Sequence, residues 1–90
     1  MIASFKDDDA RDLFEHRVAS KRLAGYAKAA LRKLDQLDVV DRIDELLIPP
    51  GNKLKKLTAT TWQIRIDEKH RIRFRWDGRN AQDVEIGDFH

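Results

Sequence analysis

Arg71, Arg73 and Arg75 alternate with Ile72, Phe74 and Trp76 near the end of a chain that closes on Asp88, Phe89 and His90. Alternation with a period of two is the pattern of a half-buried strand. Such a strand anchors a core on one face and projects a row of guanidinium groups from the other. A guanidinium fork matches the geometry of a phosphate and grips it through two parallel hydrogen bonds, which a lysine cannot do. A histidine beside the row supplies a group that moves protons near neutral pH. Cleaving RNA without a metal needs the same equipment. A base activates the ribose hydroxyl next to the phosphate, cations stabilise charge on the crowded phosphate, and an acid protonates the departing oxygen. His90 is the best proton carrier in the sequence, and the arginines are the cations.

The basic character is local. Residues 53–79 hold nine basic side chains against three acidic ones, and because the whole chain has a net charge of only +2, the remainder is acidic. The C-terminal half is therefore the part that attracts polyanions. Cys is absent, which excludes disulfide bracing and thiolate metal sites. His16 and His70 read as surface or packing residues, since no further ligands stand at metal-binding spacing, and no metal or other cofactor is expected. The first residues lack the basic start and apolar stretch of a secretion signal, and no run approaches the roughly 20 apolar residues of a membrane span. A cytoplasmic protein without a membrane partner is the expectation, built as one domain over residues 1–90 with a modest core.

The elements that must position these groups follow from periodicity. Ile2, Ser4 and Phe5 read as a short opening strand. Asp7 can cap a helix whose positive end suits Asp8 and Asp9 and whose negative end suits His16 and Arg17; Ala10, Leu13 and Phe14 form its buried stripe. A second helix is expected after Ser20, through Leu23, Ala27, Ala30, Leu31, Leu34 and Leu37 at helical spacing. Asp38 can cap a third through Val40, Ile43, Leu46 and Leu47, ended by Pro49-Pro50-Gly51. Beyond that break the period becomes two. A strand over Trp62–Ile66, a tight turn at Asp67-Glu68-Lys69, the arginine strand, a turn at Asp77-Gly78-Arg79-Asn80 and a last strand over Ala81–Phe89 complete the chain.

The fold class is therefore α+β, with N-terminal helices packed on one face of a small antiparallel sheet and the other face open. Arg65, Arg71, Arg73 and Arg75 should share the open face. Trp62 and Trp76 lie in phase with Ile or Phe and are expected as core anchors. Strict alternation puts Asp88 and His90 on the side of Val84 and Ile86, so bringing them to the arginines calls for a bulge or twist at Gly87.

The Pro49-Pro50-Gly51-Asn52 break, the Trp62-Gln63-Ile64-Arg65-Ile66 and Arg71-Ile72-Arg73-Phe74-Arg75-Trp76 strands, and the Asp83-to-His90 ending together resemble HigB-type killer proteins of the RelE toxin superfamily. The resemblance spans nearly the whole chain. It implies a RelE-like microbial ribonuclease fold and the toxin of a type II toxin–antitoxin pair. It further implies an mRNA interferase that enters the ribosomal A site and cuts translated mRNA by metal-independent acid–base chemistry. A HigA-like helix-turn-helix antitoxin is the implied partner, with operator DNA met through that antitoxin. Carried over by position, His90, Asp88 and Arg71 are the catalytic candidates, Asp88 orienting the imidazole and Arg71 clamping phosphate. Lys55, Arg65, Arg73, Arg75 and Phe89 are the RNA-binding candidates. Two positions depart from the family pattern: Lys55 stands in a loop where some members carry His, and Phe89 stands where Tyr is common. The alternative reading is a weakly active or non-catalytic toxin-like module that binds the antitoxin and contributes to autorepression. The acidic helices, with Asp7, Asp8, Asp9, Asp12, Asp41, Asp44 and Glu45, could meet a basic partner, or a partner could cover the arginines instead.

Overall fold

A computed structural model describes residues 1–89. Two α-helices, α1 (Asp8–His16) and α2 (Ala27–Val39), precede two 3-10 turns at Ile43–Leu47 and Pro50–Asn52. Four antiparallel strands follow, β1 (Lys55–Lys56), β2 (Thr61–Arg65), β3 (Arg71–Trp76) and β4 (Ala81–Gly87), in a sheet of order β1-β2-β3-β4. The helices cover one face of this meander. No helix among the described residues is long and apolar enough to cross a membrane.

Local chemistry accounts for α1 as the sequence suggests. The Asp7 carboxylate accepts from the Asp9 amide, Asp8 and Asp9 occupy the first turn, and Arg17 ends the helix in the left-handed region with its amide on the Asp12 and Leu13 carbonyls. The second helix starts later than expected. Residues 21–26 form turns, and regular α-helix begins only at Ala27. Gly25 is a poor helix former, and Arg22 is drawn to Asp7 and Asp9 across from α1, so tertiary ion pairing prevails over the helical pattern. Leu23 is nonetheless fully buried from its turn.

Asp38 caps nothing. It lies inside α2, where its carboxylate accepts from the Ile2 amide at 2.9 Å and ties down the N-terminus. The third helix is a short 3-10 turn closed instead by Glu45, whose carboxylate accepts from the Asp41 and Arg42 amides. Residues 2–5 make isolated parallel bridges to β4, Ile2 to Ala81 and Phe5 to Val84, rather than a strand.

The core is made by both layers. Leu13, Leu23, Leu34, Leu37 and Leu46 meet Ile64, Ile72, Phe74, Val84 and Ile86, each nearly or fully buried and each contributing roughly 1.5–3 kcal/mol from apolar burial. Phe74 and Trp76 pack edge to face at 6.4 Å. Trp76 is in the core as expected, while Trp62 packs against it half-buried with the Lys56 ammonium 5.5 Å from its ring.

Candidate active site

Register places the basic residues. Arg65 pairs with Arg71 and then Gly87, Gln63 with Arg73 and then Glu85, and Thr61 with Arg75 and then Gln82. Directly opposed residues project to one side of a sheet. These three rows therefore form the open face, while Ile64, Ile72 and Phe74 enter the core between them. Lys55 of β1 pairs with Gln63 and extends the middle row to Lys55, Gln63, Arg73 and Glu85. The structure thus brings Lys55, Arg65, Arg71, Arg73 and Arg75 onto one surface.

Four of the cations are held by neighbours. The Arg65 Nε and the Arg71 Nη1 both donate to the Asp67 carbonyl, at 3.0 and 2.7 Å, and Arg71 also reaches the His70 carbonyl at 3.1 Å. Arg73 donates from Nε to Gln63 at 3.3 Å, and Arg75 to Gln82 at 2.6 Å. These bonds use part of each fork and fix its plane, so positioning entropy is spent in folding rather than on binding.

The carbonyls that hold Arg65 and Arg71 belong to a rigid turn. The Asp67 carboxylate accepts from the Lys69 and His70 amides at 2.8 Å each, and both its oxygens lie 3.0 Å from the His70 Nδ1. Partial burial opposes ionisation of Asp67, but the His70 ring and the two amides outweigh it and hold the carboxyl below its usual range. The His70 ring stacks on Tyr26 at 3.6 Å and 13°. Burial raises the Tyr26 hydroxyl above its usual value; Arg22 opposes this, while Asp67, Asp7 and Asp88 add to it. His70 is thus a packing residue, as the sequence led us to expect, and it also orders the turn beneath Arg71.

The tail enters this surface through β4. The irregularity in β4 lies at Asp83, not at Gly87. Arg73 opposes Glu85 and Arg75 opposes Gln82, so one extra residue is accommodated, and Asp83 takes a φ of 52°. This lets Ala81, Val84 and Ile86 all face the core, because Ile2 and Phe5 of the N-terminal segment require Ala81 and Val84 to stay in phase with them. Beyond the bulge simple alternation runs to the end of β4 at Gly87. Gly87 faces the arginines, and the distal edge of the Phe89 ring lies over it, so closely that a Cβ on Gly87 would come within 2.9 Å of the ring. The Arg73 guanidinium covers the same ring at 4.1 Å. Asp88 is exposed and within electrostatic reach of Tyr26. His90, the expected proton carrier, lies outside the described residues.

A clasp that sequence reading did not find secures the root of the tail. Arg22 donates to Asp7 at 2.6 Å, to Asp9 at 2.9 Å and to the Ile86 carbonyl at 2.9 Å, while the Ile86 amide donates to Asp7 at 3.2 Å. The pair serves Ile86 as a substitute strand partner on the outer edge of β4. Gln63 and Glu85 were also missed as site members, though Gln63 stands in the same alternation phase as Arg65. The acidic helices are largely engaged within the chain: beyond Asp7 and Asp9, Asp8 and Asp12 pair with Arg11, and Asp44 with Arg42.

With this geometry in view, comparison with known proteins gives a consistent answer. Residues 3–90 match the family described as the RelE-like toxin of type II toxin–antitoxin system HigB. Toxin HigB-1 of Vibrio cholerae serotype O1 is 32% identical over 80 residues, covering 84% of each chain. Helices on one face of a four-stranded antiparallel sheet are in keeping with RelE-like toxins. The chain belongs to the HigB family of RelE-like toxins, and so has the role of a toxin with an antitoxin partner.

Proposed function

We propose that this toxin is a ribosome-dependent mRNA endonuclease whose substrate lies on the open face of the sheet. The supporting observation is the convergence of Arg65, Arg71, Arg73, Lys55 and the Arg73-covered Phe89 ring on one surface at the root of the tail. Arg71 and Arg73 clamp the scissile phosphate and stabilise the charge that builds on it. His90 moves the proton, with Asp88 as its orienting neighbour, and Phe89 offers its ring to a base. The ribose hydroxyl attacks the adjacent phosphorus, the bond to the next nucleotide's oxygen breaks, and a proton goes to that oxygen. No step calls for a metal. The chain is small, and the ribosomal A site supplies the rest of the substrate enclosure. A HigA-like helix-turn-helix antitoxin silences the toxin and links it to operator DNA, in the cytoplasm.

The test is expression in a bacterium with and without the antitoxin, followed by mapping of transcript ends. Growth arrest and cuts in phase with codons are expected from the toxin alone. Unchanged growth and intact messages at full protein level would overturn the reading. They would favour the non-catalytic module that the missing hydroxyl at Phe89 and the lysine at position 55 allow.

A further inference from the structure

Next to the Arg73–Phe89 stack the open face holds a recess of about 490 Å³, within the roughly 300–1,000 Å³ range of small-ligand clefts. Its walls differ in charge. Arg73 and Arg75 of β3 lie between the β2 end and Glu85 and Asp83 of β4, and Lys6 also lines the recess. The Thr58 and Thr61 hydroxyls, 2.6 Å apart, lie at the end nearest β2, where the Leu57 side chain adds apolar surface.

The acids are only loosely engaged. Lys6 stands 3.5 Å from Glu85 and Arg75 stands 3.4 Å from Asp83, both longer than the roughly 2.7–2.9 Å of a charge-assisted hydrogen bond, and Lys6 is 69% exposed. Asp83 reaches this side through the left-handed residue of the β4 bulge, a device that re-aims a side chain without moving the core residues around it. A ligand suited to these walls carries an anion for the arginines, hydroxyls for the threonines and N–H donors for the carboxylates. A ribonucleotide has all three.

We propose that this recess is a nucleoside subsite beside the scissile phosphate, and that Glu85, supported by Asp83, selects amino-bearing bases against uracil. Adenine, cytosine and guanine each present an exocyclic amino group that a carboxylate accepts. Uracil flanks its single N–H with two carbonyl oxygens, which a carboxylate repels. Arg73 divides the recess from the tail, so a base seated there is one nucleotide from a phosphate held by Arg71 and Arg73.

The proposal rests on the reading of the protein as an mRNA endonuclease, and two measurements separate the failures. In the first, translated reporters vary one nucleotide at a time on either side of the cut. Wild type is expected to disfavour uracil at one of these positions by about tenfold or more, and Glu85→Gln to bring the ratio toward one there, because an amide donates as well as accepts. Asp83→Asn, which tolerates the left-handed backbone, is a second variant on the same wall with a smaller expected change. Equal use of all four bases by wild type, or an unaltered profile in both variants, overturns the subsite. In the second, AMP, CMP, GMP and UMP are titrated into the folded toxin while the amide resonances of Thr58, Thr61 and Glu85 are followed. Shifts with the first three and not with UMP are expected, whether or not the protein cuts RNA. Shifts produced by the antitoxin and by no nucleotide would assign the recess to protein docking and sink the proposal.

Discussion

The Arg73 guanidinium lies 4.1 Å from the centre of the Phe89 ring, whose distal edge rests over Gly87. The stack joins the arginine row to the tail and makes the absence of a side chain at position 87 a requirement of the site. Gly87→Ala would drive a Cβ to 2.9 Å from the ring, and the ring, close to the chain end, would swing away at small cost in stability. Cleavage on translating ribosomes should fall about 10- to 100-fold, since small displacements of reacting groups carry penalties of that order, with little change in melting temperature. An unchanged rate would show that the stack does not position the tail.

Arg71 should behave differently. It is half-buried and anchored through Nη1 on the Asp67 and His70 carbonyls. Arg71→Lys keeps the charge but loses bidentate geometry, so the turnover rate should drop by about 10²- to 10³-fold while ribosome binding stays within a few-fold. Parallel loss of binding and turnover, read by single-turnover kinetics, would assign Arg71 to docking alone.

The Arg22–Asp7 clasp should be visible as coupling. Arg22→Ala strands the Ile86 carbonyl and a partly buried carboxylate, at a cost of about 1–3 kcal/mol in urea denaturation. Asp7→Asn should cost less, because Asn caps α1 as well as Asp does. The double variant should be clearly less destabilised than the sum of the two; strict additivity would mean that the clasp is not a unit.

Asn52 has no exposed surface, and its amide joins Lys33, Gln36 and the Leu46 carbonyl. Asn52→Ala would leave these groups without their partner and should destabilise by about 2–3 kcal/mol in urea. It should also broaden the backbone resonances of Lys55 and Lys56, because only Lys53 and Leu54 separate the turn at Pro50–Asn52 from β1.

Acid sensitivity should trace in part to Asp67. Its carboxyl titrates lower in the folded state than in the unfolded chain, so its stabilising effect is fully present above the ordinary aspartate value of about 3.9 and is lost as pH falls through the lower folded value. Asp67→Asn should therefore flatten the fall in stability below about pH 4. Melting temperatures measured across that range, for wild type and variant, make the comparison.

Much of this architecture is legible in the chain because it is written in local terms. Period-two alternation with β-branched and aromatic residues gives the Arg71–Trp76 strand residue for residue, and an aspartate before an acidic first turn gives the start of α1. The motifs of the C-terminal half also carry the family. Tertiary structure decided what depends on partners distant in sequence. Arg22 could not be read as a clasp, since its ligands Asp7, Asp9 and Ile86 come together only when α1 and β4 pack. The bulge falls at Asp83 rather than Gly87, because the core demands that Ala81, Val84 and Ile86 all point inward beside an N-terminal segment that one-strand periodicity ignores. The face on which a side chain lies is a property of one strand and its alternation; the company it keeps there is a property of register, and register is set by the whole core at once.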